Sequence, residues 1–138
     1  MQTRPNRILF VEDGPICRSI VGQALSTAGF EVSTAAEATP ALALAQRQRY
    51  DLAIVDYYLP DFPGTEFIKQ LRAIDEHESI PVIMLTARAD ELNSEYLQEA
   101  LSVQVWSKAR PMDELLNEVS GLIAAASSGP GSPAEAGP

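Results

Sequence analysis

The sequence has a single cysteine, Cys17, so no disulfide can form within the chain, and a reducing compartment suits it. Basic runs are missing as well. Ten Lys and Arg residues are scattered against 19 Asp and Glu, for a net charge of −9. Nonspecific nucleic-acid binding needs a basic stripe that displaces counterions, so direct contact with nucleic acid is not expected. Nor is there a long hydrophobic run. The polar N-terminus leads into Ile8–Val11, which is too short for a signal-peptide core or a membrane span. A soluble cytoplasmic protein without membrane contact is expected. The one histidine, His77, lies in Asp75-Glu76-His77-Glu78 and reads as part of a charged connection rather than a phosphohistidine or metal ligand.

What is present is the composition of an ordinary globular domain: 138 residues, 46% hydrophobic and 21% charged. Two apolar runs, Ile8–Val11 and Leu52–Val55, are too short for helices and are bounded by turn residues. Both read as strands buried on both faces, as in a parallel sheet. Residues 30–34 alternate like an edge strand, and 80–85 and 103–106 supply two more. Helical spacing fills the intervals. Pro15 suits a first helical position, followed by a stripe of Ile16, Ile20, Ala24 and Ala28 with Val21 and Leu25 beside it, and Gly29 as the stop. Thr39-Pro40 reads as an N-cap and first turn of a helix reaching about residue 49. Further helices are expected over 64–76, over 90–101 with Leu92, Tyr96, Leu97 and Leu101 on its apolar side, and after Pro111 with Leu115, Leu116, Val119, Leu122 and Ile123. Strand and helix thus alternate five times, which predicts an α/β fold of βα units around a parallel sheet.

The strand ends carry the chemistry. Glu12-Asp13 follow the first strand, Asp56 the third, Thr86 the fourth and Lys108 the fifth. Right-handed crossovers put every carboxyl end on one edge, so these side chains can converge. Crowded carboxylates repel unless a cation joins them, and an oxygen-rich site of this kind suits Mg²⁺. With a lysine and a hydroxyl nearby, the set describes a site for adding phosphate to a carboxylate. Asp56 attacks, while Mg²⁺ and Lys108 neutralise the charge that develops.

Val11-Glu12-Asp13, then Asp56-Tyr57-Tyr58-Leu59-Pro60-Asp61-Phe62-Pro63-Gly64, Thr86-Ala87 and Lys108 together resemble the CheY-like receiver domain of two-component response regulators. The resemblance covers about residues 6–126, leaving 127–138, rich in Ser, Gly, Ala and Pro, as a disordered tail or linker. It implies a flavodoxin-like five-stranded parallel sheet, order 2-1-3-4-5, with helices on both faces. It also implies that Asp56 is the phosphoacceptor, served by a histidine kinase or phosphotransfer protein. Asp13, Asp56 and the Tyr58 carbonyl would hold Mg²⁺, with Glu12 acting through water. Thr86 and Lys108 would grip the phosphoryl group, and Tyr58 is placed to shield it from water. The domain would signal to a downstream output protein through a changed binding surface, rather than act as an enzyme beyond its own phosphorylation and dephosphorylation. A homodimer is compatible with this reading, and Met1 favours an N-terminal position.

Two departures from that pattern stand out. Receivers usually have a cis proline directly after the lysine, whereas Ala109 follows Lys108 and proline waits until Pro111. A cis bond before a non-proline residue costs roughly 2.5–4 kcal/mol, so a trans bond and a rebuilt loop are expected, with the lysine's placement at stake. Val105 occupies the position of a mobile Tyr or Phe ring, leaving Trp106 and Tyr96 as substitutes, although Trp106 should face the other side of the sheet. Leu101-Ser102 also replaces a small-residue turn. Two other readings stay open at this point: a receiver-fold interaction module independent of phosphorylation, and a phosphatase with an aspartyl nucleophile. The second lacks an acid at Tyr58.

Overall fold

The structure is a computed structural model, and it describes residues 5–87 and 94–127. Five strands and five helices alternate along the chain: β1 (Arg7–Val11), α1 (Pro15–Thr27), β2 (Glu31–Ala35), α2 (Ala38–Arg47), β3 (Leu52–Val55), α3 (Gly64–Arg72), β4 (Val82–Thr86), α4 (Ser94–Leu101), β5 (Val103–Ser107) and α5 (Met112–Ser127). The strands form one parallel sheet in the order β2-β1-β3-β4-β5. This is the expected architecture, and β2 is indeed an edge. The start of the expected fourth helix, residues 90–93 with Leu92, and the tail beyond Ser127 lie outside the described residues.

The short apolar runs become strands because each strand residue must bury a side chain on one face or the other. Leu9, Val11, Ala53, Val55, Val82, Met84 and Val103 pack with α2, α3 and α4. Ile8, Phe10, Leu52, Ile54, Ile83, Leu85 and Trp106 pack with α1 and α5. Every residue of β3 is fully buried, as its unbroken apolar run requires. Trp106 therefore joins the layer under α1 and α5, while Val105 lies half-buried against the α3–α4 layer. Tyr96, the other expected substitute, is 62% exposed.

Three local expectations need correction. In α1 the buried residues are Val21 and Leu25, with Cys17 partly buried on the same side, whereas Ile16 and Ile20 are 75% and 58% exposed. The core takes the 17–21–25 row rather than the bulkier 16–20 row. Thr39 does not cap α2, which begins at Ala38. The cap comes from the β3–α3 loop, where the Asp61 carboxylate accepts the amides of Ala38 at 2.9 Å and Thr39 at 2.8 Å. Desolvation works upward, but the hydrogen bonds from Thr39 and Ala38 together outweigh it and hold the Asp61 pKa down at about 2. The α4–β5 turn is made by Ser102 with φ 53, a left-handed conformation, and Arg72 binds the carbonyls of Leu101, Ser102 and Ile80 to hold it.

The third correction is His77. The expected charged connection holds a 3₁₀ turn, Asp75–His77, in which the histidine is wholly buried. Its Nε2 accepts the Tyr50 amide at 3.0 Å, and its ring lies 6.1 Å from that of Tyr50 at 29°. Burial pushes its pKa below the usual 6.5, with Glu76 opposing and Arg49 reinforcing the shift. A depressed folded pKa means that the unfolded chain binds the extra proton. Stability is then intact above about pH 6.5 and falls, by up to about 1.4 kcal/mol per pH unit, as pH drops toward the folded value. Urea melts at pH 7.5 and 5.5 should reveal this loss in the wild type. A shallower loss is expected in His77→Gln, whose amide oxygen can still accept the Tyr50 N–H. Equal losses in both proteins would show that another group carries the acid sensitivity.

Candidate functional site

The sheet's register delivers the site. Val11 pairs with Val55, so the next residues, Glu12 and Asp56, leave the sheet side by side, tied by an Asp56 amide to Val11 carbonyl bond of 3.0 Å. Thr86 pairs with Ser107, and the following Lys108 amide binds the Thr86 carbonyl at 2.9 Å. Glu12, Asp56 and Thr86 are buried, which is unusual for polar groups and puts them at the floor of the rim. Asp13 is exposed. The six residues expected from the sequence, Glu12, Asp13, Asp56, Tyr58, Thr86 and Lys108, line one cavity of about 340 Å³ together with Ala87.

Lys108 is in place despite Ala109. Its Nζ stands 2.8 Å from Glu12 Oε1 and 3.0 Å from Asp56 Oδ2. None of the described peptide bonds is cis, as expected for Lys108–Ala109. Desolvation pulls the Lys108 pKa down, but its bonds to Glu12 and Asp56 and their charges outweigh this and raise it. The other Asp56 oxygen accepts the Tyr58 amide at 3.0 Å, and Glu12 Oε2 accepts the Gly14 amide at 3.0 Å. Carboxylate oxygens of Glu12, Asp13 and Asp56 lie within 4.8 Å of one another. Side chains from residues 13 and 56 are thus close enough to share an ion. The donor set fits a hard divalent cation: three carboxylates face one lysine, and buried Glu12 Oε1, although ion-paired, has no aligned hydrogen-bond donor.

Three contributors to this geometry were not singled out from the sequence. Arg18 Nη1 donates to the carbonyls of Glu12 at 2.7 Å and Asp13 at 3.2 Å, pinning the acidic turn to α1. Its only signal is a basic residue in the second turn of α1. Gly64 lies so near the end of β3 that a Cβ there would stand 2.5 Å from the Asp56 carbonyl oxygen. Asp61 ties the loop after Asp56 to α2, as described above. Cys17, by contrast, is a packing residue, since burial first and Glu12 second push its thiol up to about 11.

The family model "Response regulator receiver domain" matches residues 8–120. The chain belongs to that family. Among relatives of this receiver, the probable transcriptional regulatory protein TcrX of Mycobacterium tuberculosis is 36% identical over 85 residues, covering 62% of this chain and 36% of TcrX. The receiver spans little more than a third of the length of such curated relatives. Solved structures match it almost end to end. The chemotaxis response regulator CheY4 of Vibrio cholerae superposes with a TM-score of 0.76 at 32% identity, over 86% of this chain and 99% of CheY4. The receiver domain of the sensor histidine kinase PA1611 of Pseudomonas aeruginosa, solved with magnesium in its active-site cleft, gives 0.78 at 30% identity over 88% of this chain and 99% of that one. Receivers are signalling domains rather than conventional enzymes. Among the described residues no helix is long and apolar enough to cross a membrane.

Proposed function

We propose that this receiver accepts a phosphoryl group on Asp56 from a phosphohistidine and passes the signal on through an altered protein-binding surface. The observation that carries the reading is the buried Asp56 carboxylate, bound by Lys108 and set within 4.8 Å of two further acids. An Asp56 oxygen attacks phosphorus, the phosphorus–nitrogen bond of the donor breaks, and the released imidazole takes up a proton. Lys108 shifts its charge onto the phosphoryl oxygens, and the Thr86 hydroxyl donates to another of them. Asp13, Asp56 and the Tyr58 carbonyl would hold Mg²⁺, with Glu12 acting through water. Bound there, the ion neutralises the crowded acids and the charge on the phosphoryl group. Tyr58, half exposed at the mouth of the cavity, covers the product from water.

The donor is a histidine kinase or phosphotransfer protein, and exposed Ile16 and Ile20 on α1, just past Asp13, offer it apolar surface. On this reading the receiver unit spans residues 6–126, works in the cytoplasm and hands its signal to a downstream output protein. Intact mass after incubation with acetyl phosphate and Mg²⁺ tests the core of this reading. Wild type should gain one phosphoryl group, and Asp56→Asn or wild type in excess chelator should gain none. Labelling of Asp56→Asn would move the acceptor elsewhere. An unlabelled wild type would favour a module that works without phosphorylation.

A further inference from the structure

The turn from β5 to α5 runs Ser107-Lys108-Ala109-Arg110-Pro111. Ala109 leaves its own φ unrestrained where a proline would fix it, so something else must hold Lys108 over the acids. Three links help: the Lys108 amide donates to the Thr86 carbonyl at 2.9 Å, the Ala109 amide to the Ser107 hydroxyl at 3.0 Å, and the Arg110 amide to the Ser107 carbonyl at 3.1 Å. The first ties the backbone of residue 108 to β4, whereas the other two are local to the turn and leave its far side to be held. The side chain of Arg110 holds that side. Its guanidinium carbon stands 3.5 Å from the centroid of the Trp106 ring, a close cation–π stack. Its Nη2 pairs with Glu114 Oε1 at 3.2 Å, one turn into α5.

The Trp106 anchor is buried and the Glu114 anchor is exposed. Trp106 is 5% exposed and packs with Leu85 and Leu115, and its Nε1 donates to Gln104 Oε1 at 3.1 Å. Glu114 belongs to the first turn of α5, where its amide donates to the Pro111 carbonyl. Arg110 therefore spans the turn, with one face on the last buried residue of β5 and one edge on the start of α5. Lys108 is the residue enclosed between them. Cys17, Trp106, Lys108 and Arg110 border a common crevice of about 30 Å³, too small for a ligand, so the stack and the lysine stem share one packed corner.

We propose that Arg110 is a positioning residue for Lys108: by stacking on Trp106 and pairing with Glu114 it does the work of the absent proline, keeping the ammonium directed at Glu12 and Asp56. This rests on the phosphoacceptor reading above and adds to it a group that touches neither phosphate nor metal. The test compares wild type, Arg110→Ala, Arg110→Lys and the double variant Ala109→Pro with Arg110→Ala. Each is followed for its phosphorylation rate with acetyl phosphate and for its stabilisation by Mg²⁺. Losing an exposed stack and its ion pair should slow phosphorylation of Arg110→Ala about fivefold. Mg²⁺ should stabilise Arg110→Ala at least as well as wild type, because a lysine less firmly held on Glu12 and Asp56 leaves those carboxylates freer for the ion. Arg110→Lys should fall between the two, and proline at 109 should restore much of the rate. Emission from Trp106, the single tryptophan, reports loss of the stack in each variant. A wild-type rate in Arg110→Ala would overturn the proposal. So would a matching loss of Mg²⁺ affinity, which would mark a general loosening of the fold. If wild type itself fails to take phosphate, the phosphoacceptor reading falls first, and the role of Arg110 falls with it.

Discussion

Alanine at position 64 is expected to cost about 3 kcal/mol of stability and to abolish phosphorylation in what remains folded. Gly64 opens α3, is buried, and donates its amide to the Tyr57 carbonyl at 2.8 Å. A Cβ there would meet the Asp56 oxygen at 2.5 Å, the Tyr57 Cα at 3.1 Å and the Asp56 carbonyl carbon at 3.3 Å. All three are backbone atoms, so no side chain can swing aside. Either α3 backs off the sheet, losing the burial of Phe67, Ile68 and Leu71, or the end of β3 tilts and takes the Asp56 carboxylate with it. Both routes damage the site, since a displacement near 1 Å at a reacting group is enough to cost about a hundredfold in rate. Gly121 supplies the internal comparison. It lies in α5 with nothing within 4 Å of its added Cβ, so Gly121→Ala should raise the urea midpoint through helix propensity alone, by up to about 1 kcal/mol. A Gly64→Ala protein with the wild-type midpoint and full phosphoryl uptake would refute this account of the glycine.

The contrast between those two glycines shows what a sequence discloses. Gly64 stands in a recognisable motif, but the reason for it is a contact between backbones, and spacing cannot display that. The strands were legible because burial on both faces leaves an unbroken apolar run, as in Leu52–Val55. The order 2-1-3-4-5 came from resemblance and not from periodicity, since five buried runs can be arranged in many ways. Convergence at the rim was legible for a topological reason: parallel strands bring all their carboxyl ends to one side, so Glu12, Asp56, Thr86 and Lys108 can meet there once the strand order makes them neighbours.

Local errors arose where a tertiary partner decides. The face of α1 that turns inward was misread because the 16–20 and 17–21–25 rows are adjacent, and their hydrophobicity alone does not choose between them. Thr39 is the capping residue nearest in sequence to the start of α2, but an Asp61 carboxylate 23 residues from Ala38 supplies the cap. His77 reads as part of a charged connection among three acids, yet its Nε2 is the acceptor that the Tyr50 amide needs inside the fold. Polar residues that satisfy a distant backbone group are the hardest to place from sequence, because the demand they meet lies elsewhere in the chain.

Replacing Lys108 by methionine should destabilise the metal-free protein by about 3 kcal/mol, and Mg²⁺ should recover a large part of that loss. The lysine stem is conserved in shape by methionine, so the change isolates the charge. In the wild type one ammonium answers two buried carboxylates, Glu12 at 2.8 Å and Asp56 at 3.0 Å, with Asp13 close by. Taking it away strands like charges in a poorly solvated rim, where removal of one partner of a buried pair is far costlier than the pair is worth. The sign of the pH effect follows from the raised Lys108 pKa. Its contribution holds everywhere below the ordinary lysine value and lapses only as pH rises through the folded one, so at neutral pH the full penalty appears. One remedy remains to the variant: adding Mg²⁺ supplies the missing positive charge. Because lysine and divalent cation serve the same carboxylates, the Mg²⁺-dependent rise in urea midpoint should be larger in Lys108→Met than in wild type. Phosphorylation should still slow by about a hundredfold, since the transferring phosphoryl group loses a charge aimed at its oxygens. Equal midpoints for the two proteins in chelator would mean that Lys108 carries no net electrostatic stabilisation. Equal Mg²⁺ responses would mean that the ion binds away from the carboxylates that the lysine holds.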